Sequence, residues 1–241
     1  MSAGKASLRS LARSIAVRIA SLRVPSSHAD PAVPSVRGPF PASLYRKLLE
    51  DGLQCGVLFT PVPAVVEDRV AVALRHDLDD RPDRLTPFLD IEEELNVHSC
   101  SYFIVDGIVA SHAYTYNLED CRSFAERIRA RGGGVGLHSI AWAYPDSLST
   151  LARERERFAA IFGMPPSSET FHGFLPRRET ASLRRRFNRL YLRRNGAFFE
   201  AHRRIVLSDS ESRPLCPALR YGDMLRGVPY EILTHPQYWT P

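Results

Sequence analysis

Short apolar runs alternate along the chain with stretches whose apolar residues recur every three or four positions. Val70, Ala71, Val72, Ala73 and Leu74 form an unbroken apolar run, the pattern of a strand covered on both faces. Cys100 to Val105, Val135 to His138, Thr170 to His172, Ile205 to Leu207 and Tyr230 to Thr234 read as further short strands. Between them, Leu85, Phe88, Leu89, Ile91 and Leu95 mark a helix over Arg84 to Leu95. A second helix, Leu118 to Arg131, stops at Gly132 to Gly134, and Asp146 caps a third that runs to about Phe162. Leu44, Leu48 and Leu49 mark a short first helix near Pro41, and Gly56 to Pro63 reads as a turn. This alternation predicts an α/β architecture with a mostly parallel sheet.

Polar groups recur where the strands finish. The stretch VAVALRHDLDD, Val70 to Asp80, carries Arg75, His76, Asp77, Asp79 and Asp80 to the carboxyl end of its strand, the end at which α/β sheets gather ligands. In an extended chain Asp77 and Asp79 share one face while His76 and Leu78 share the other. Two neighbouring carboxylates repel unless a cation sits between them, so the pattern points to a hard or borderline metal or to acid–base chemistry. The plainer alternative is a capped turn after a core strand. His138, His172, Asp209 and His235 stand at later strand ends and are expected to converge with Asp77 and Asp79, as at the mouth of a barrel. Each histidine also admits a bland reading as a satisfied core or packing residue.

Composition narrows the function classes. The 241 residues fit one large domain or two small ones, and the 44% hydrophobic content is that of a globular protein. The net charge of +5 is modest, and many of the arginines lie in the first two dozen residues and between Arg177 and Arg204. No basic stripe interleaves with aromatics, which argues against nucleic acid as a partner. Cys55, Cys100, Cys121 and Cys216 form no CxxC, so neither structural zinc nor a dense disulfide framework is expected. The glycines of GGGVGLHS precede a strand and lack the Lys-Ser or Lys-Thr of a phosphate loop. There is no GxSxG, and Cys100 lies inside an apolar strand, so a nucleophilic mechanism fits poorly. Leu183 to Arg194, LRRRFNRLYLRR, reads as a docked helix with a solvated basic face, with contact to an anionic substrate as a lesser reading.

Residues 1 to 40 are read apart from the rest. SLRSLARSIAVRIASLRV is broken by Arg13, Arg18 and Arg23, so it matches neither a secretory signal nor a membrane span. A loosely docked leader is favoured over an amphipathic helix that sets Leu11, Ile15, Ile19 and Leu22 against an anionic membrane as a peripheral contact. Ser26 to Pro41 reads as a proline-rich linker, leaving 41 to 241 as the folded unit. The expected localisation is cytoplasmic.

LRHDLDD, SYFIV, VGLHS, FHGF, LSDS and EILTHPQYW, in that order, resemble the polysaccharide deacetylases of the NodB-homology kind, carbohydrate esterase family 4, in a branch with RHDxD in place of the usual TFDD. The resemblance covers roughly Val70 to Trp239. It implies a distorted (β/α) barrel and a divalent metal, commonly zinc, that assists hydrolysis of an N-acetyl group on a sugar. Carried over by position, Asp77 matches the catalytic base. The family's ligand aspartate falls on Leu78, so Asp79 is its expected replacement, and the division of base and ligand between Asp77 and Asp79 stays open to reversal. His138 matches the first histidine of the family's HSxxH pair, but the second falls on Trp142, and His172 is the candidate to supply the missing ligand. His235 matches the late histidine that acts as general acid, and Arg177 stands in for the arginine that orients the base. The activity so implied is metal-dependent N-deacetylation of an amino sugar in a surface glycan or its precursor. The Trp142 departure keeps a second reading open, a degenerate barrel that binds a glycan or protein partner without hydrolysis. Hydrolysis of a non-sugar amide by the same site is a third.

Overall fold

The computed structural model describes residues 39–62, 66–105, 108–109, 112–113, 116–172, 205–209 and 221–240. The leader up to residue 38, Arg177 and the basic run Leu183 to Arg194 lie outside them. The chain opens with β1 (Phe40–Pro41) and α1 (Ala42–Gln54), followed by β2 (Leu58–Thr60) and β3 (Ala71–Leu78). Next come α2 (Thr86–Leu95), β4 (Cys100–Phe103) and the antiparallel pair β5 (Ile108–Val109) and β6 (His112–Ala113). The order continues α3 (Arg122–Ala130), β7 (Gly134–Ser139), α4 (Ser147–Phe162), β8 (Glu169–Phe171), β9 (Ile205–Ser208), β10 (Pro229–Thr234) and β11 (Trp239–Thr240).

The main sheet runs β8-β7-β4-β3-β10-β9, a curled half-barrel whose described pairings are all parallel. β10 pairs along one edge of β3, and β2 and then β4 share the other. The α/β class expected from the alternating pattern is therefore the one observed. Two details differ. Leu58 to Thr60, read as turn, is a strand, because its three residues pair with Ala71 to Ala73. β3 also continues past the apolar run to Leu78, since Arg75, His76, Asp77 and Leu78 pair through their backbones with Cys100 to Phe103.

Alternation along β3 divides its residues by size and polarity. Val72, Leu74 and Leu78 join a core with Phe103, Val135, Leu137, Tyr230 and Ile232, covered by Leu48 and Leu49 of α1, Phe88 and Leu89 of α2, Ile128 of α3 and Phe158 of α4. The other face carries Ala71, Ala73, Arg75 and Asp77, small residues first and charged ones last. The glycines of GGGVGLHS serve this inner face. A Cβ on Gly136 would strike the Tyr102 ring and one on Gly134 the Cys100 sulfur, so both make room for side chains of β4. Gly132, at φ +83°, ends α3 in the left-handed conformation that glycine adopts most readily. Asp146 does precede α4, but its carboxylate bonds the Thr150 hydroxyl rather than a backbone amide. No described helix is long and apolar enough to cross a membrane.

Candidate active site

Asp77, Asp79, His138, His172, Asp209 and His235 come together at the carboxyl ends of β3, β7, β8, β9 and β10. The register explains how. His138 pairs with Thr170 across β7 and β8, and Thr234 pairs with His76 across β10 and β3, so the residues that follow these strands leave the sheet at one level.

Asp79 lies at the centre. Its Oδ1 is 3.1 Å from His172 Nδ1 and 3.3 Å from His138 Nε2, and the two imidazole nitrogens are 3.1 Å apart. These three donor atoms all lie within 4.8 Å of one another, a cluster able to hold a metal ion. Two imidazoles and a carboxylate are the donor set of several catalytic zinc sites. His138 Nδ1 is 2.7 Å from the Thr170 hydroxyl, and when Nδ1 donates there Nε2 presents its lone pair to the cluster. The residues present therefore fit a divalent cation. Burial would raise the Asp79 pKa, but hydrogen bonds and charge from His138 and His172 outweigh it and hold the carboxyl well below its usual range.

Asp77 is held differently. Arg75 grips it with both forks, Nε to Oδ1 at 2.6 Å and Nη2 to Oδ2 at 2.5 Å, the bidentate geometry that fixes a carboxylate's plane. Arg75 is itself braced by Glu231 at 3.2 Å and stacks over the Tyr102 ring at 5.2 Å from its centroid. Burial pushes the Asp77 pKa up, and the Arg75 charge, His138 and the Arg75 hydrogen bonds together push it further down. Asp77 is thus an ionised, oriented carboxylate whose Oδ2 lies 3.5 Å from His138 Nε2.

His235 completes the far side. The fully buried Asp209 accepts from the His235 backbone amide, from His235 Nδ1 at 2.6 Å and from the Trp239 indole at 2.7 Å. With Nδ1 committed, Nε2 faces Asp79 Oδ2 at 3.8 Å, an oxygen that Gln237 Nε2 also approaches at 3.4 Å. Burial lowers the imidazole pKa, but the hydrogen bond and charge of Asp209, helped by Asp77 and Asp79, push it up to about 9. A folded value above the unfolded one means that the protonated ring stabilises the fold fully below pH 6.5, and that the contribution fades as pH rises through about 9. In chelator-treated Asp209→Asn protein, the His235 ring resonance followed by NMR should titrate about 1 to 3 pH units lower than in wild type, because only Asp77 and Asp79 are then left to oppose burial. An unchanged midpoint would show that Asp209 does not set the proton affinity of His235.

His76 takes the opposite face, as alternation along β3 expects, and bonds Glu92 and Thr234 there, while the Asp80 carboxylate accepts from the Arg81 amide. Arg177 is outside the described residues. Arg75 and Thr170, each two residues before a site group, and Glu231, four residues before His235, received no role from the sequence, although period-two alternation sets each on the face of that group.

No family model matches the chain, and no curated protein matches it. Among solved structures, the catalytic domain of peptidoglycan N-acetylglucosamine deacetylase from Eubacterium rectale ATCC 33656 is similar at 15% identity, over 74% of this chain and 79% of that one, with a TM-score of 0.47.

Proposed function

We propose that the chain is a metal-dependent hydrolase that removes an N-acetyl group from an amino sugar of a surface glycan or its precursor. The carrying observation is the order of groups around Asp79, with two histidine nitrogens at Oδ1, the Arg75-clamped Asp77 alongside, and the Asp209-paired His235 towards Oδ2. The sequence resemblance supplies the substrate class.

Asp79, His138 and His172 would hold the ion, with zinc favoured by a donor set rich in imidazole. When bound there, a divalent cation supplies polarisation of the acetamide carbonyl and acidification of water. Asp77, kept ionised and turned by Arg75, accepts the proton of the attacking water. His235, kept protonated by Asp209, gives a proton to the departing amine. The base and the acid thus flank the donor cluster, as hydrolysis of an amide requires. The non-hydrolysing alternative was motivated by a ligand lost at Trp142, and His172 at 3.1 Å from Asp79 leaves the donor set at three.

The test is metal content and acetate release measured together. Protein purified without chelator should carry about one divalent ion per chain and release acetate from N-acetylated sugars, with release lost on chelation and regained on adding zinc. Protein that takes up no metal would overturn the proposal. Stoichiometric metal without acetate release from any acetylated sugar would redirect it to a non-sugar amide or to glycan binding alone.

A further inference from the structure

We propose that Trp142 is a positioning residue for the metal centre, acting by fixing the backbone of His172 from both sides together with the turn it belongs to. This deepens the metal-site reading above and rests on it.

Trp142 stands three residues past β7, in a short 3-10 turn formed by Ala141–Ala143, and is 2% exposed. Its indole Nε1 donates to the His172 carbonyl at 2.8 Å. The amide of His172 donates to the Ser139 carbonyl at 3.0 Å. Both backbone polar groups of His172 are therefore committed to one short segment, Ser139 to Trp142, which is the last residue of β7 and the turn that follows it. That segment is anchored in its own right, because the Ser139 hydroxyl donates to the buried Glu154 of α4, whose carboxylate also receives the Ile140 amide at 3.3 Å. The Ser139 hydroxyl in turn accepts the Ala141 amide at 3.1 Å.

The arrangement has a direct consequence for the donor cluster. β8 ends at Phe171, and the last ladder bond, from the His172 amide to Ser139 at the end of β7, leaves the His172 carbonyl to be held by Trp142. An imidazole at the first residue past a strand keeps its Nδ1 at 3.1 Å from Asp79 only if its backbone is held, and two hydrogen bonds to an anchored segment hold it. The turn also follows His138, so one short segment supplies one histidine directly and restrains the other through Trp142. The tryptophan at the place where the resemblance leads one to expect a histidine contributes no ligand atom; it sets the backbone of the residue that does.

The test is a double-mutant cycle on metal affinity, read by competition with a chelating indicator on the full chain with Zn2+ or Co2+. His172→Ala should weaken binding by about 100-fold or more, beyond the 10- to 100-fold typical of supporting partners. Trp142→Phe keeps the ring and removes the donor, and should weaken binding by about 3- to 10-fold. In the double variant the Trp142→Phe effect should vanish, because it acts only through His172. A residue that merely packs the core would add its effect undiminished. A second measurement needs no variant: the Trp142 indole proton, one of two in the chain, should exchange slowly with solvent. Rapid exchange, wild-type affinity in Trp142→Phe, or additivity in the cycle would overturn this inference and leave the metal centre standing. A wild-type protein that binds neither ion would overturn both.

Discussion

Asp77→Asn should lower kcat/KM for acetate release by about 10²- to 10⁴-fold while leaving metal content unchanged. The size follows from losing a proton acceptor that nothing nearby replaces. Both Asp77 oxygens are engaged by Arg75, and an asparagine there turns an NH2 group against one of the guanidinium forks, so orientation is lost with basicity. Metal content should persist because the three converging donors are Asp79, His138 and His172. Asp79→Asn gives the opposite ordering, with metal lost first and activity following it. The pair of variants decides how base and ligand are divided between the two aspartates, and the outcome is read from acetate release alongside metal analysis. Wild-type activity in Asp77→Asn removes Asp77 from the mechanism. Loss of metal in Asp77→Asn, with metal retained in Asp79→Asn, reverses the two roles.

The parallel sheet was legible because each strand is a short apolar run and each helix has a clear three-to-four periodicity. The convergence of Asp77, Asp79, His138, His172, Asp209 and His235 was legible for a related reason: a parallel sheet places all its carboxyl ends on one side, so polar residues at strand ends meet whichever strands neighbour each other. Pairing was less visible. Leu58 to Thr60 is too short and too close to Gly56 and Pro61 to signal a strand, and only its place beside Ala71 to Ala73 makes it one. Arg75, two residues from Asp77 on the same strand, is the group that grips it, and period-two alternation alone sets the two on one face. Glu231 could have been found similarly, as an acid in an apolar strand four residues before His235. Which face of β3 His76 takes was legible, but not what it meets there, since Tyr45, Glu92 and Ser99 are brought beside it only by the packing of α1 and α2.

That cluster behind the site carries the largest stability prediction. Glu92, 2% exposed, accepts from Tyr45 Oη at 2.7 Å, from His76 Nε2 at 2.7 Å and from Ser99 Oγ at 2.8 Å. His76 Nδ1 in turn lies 2.6 Å from the Thr234 hydroxyl, so one carboxylate on α2 ties α1, β3 and the end of β10 together. Burial pushes the Tyr45 phenol well above its usual pKa, and the charge and hydrogen bond of Glu92 add to it, so the phenol stays a donor across the working range. Glu92→Ala strands three buried groups without an acceptor and opens a gap among Tyr45, Phe88 and His76, whose rings pack edge to face or tilted. The expected loss is about 3 to 5 kcal/mol, the cost of leaving buried polar partners uncompensated. Glu92→Gln keeps an oxygen for two of the donors, and the Ser99 hydroxyl can turn to accept from the new amide, so about half of that loss should return. Chemical denaturation of the two variants beside wild type measures both. Equal midpoints for Glu92→Ala and Glu92→Gln would mean that volume rather than hydrogen bonding holds α2 in place, and a wild-type midpoint for both would mean that the network adds nothing to stability. Because Thr234 immediately precedes His235, loosening this network should also broaden the His235 ring resonance, linking the stability of the back of the sheet to the order of the acid at its front.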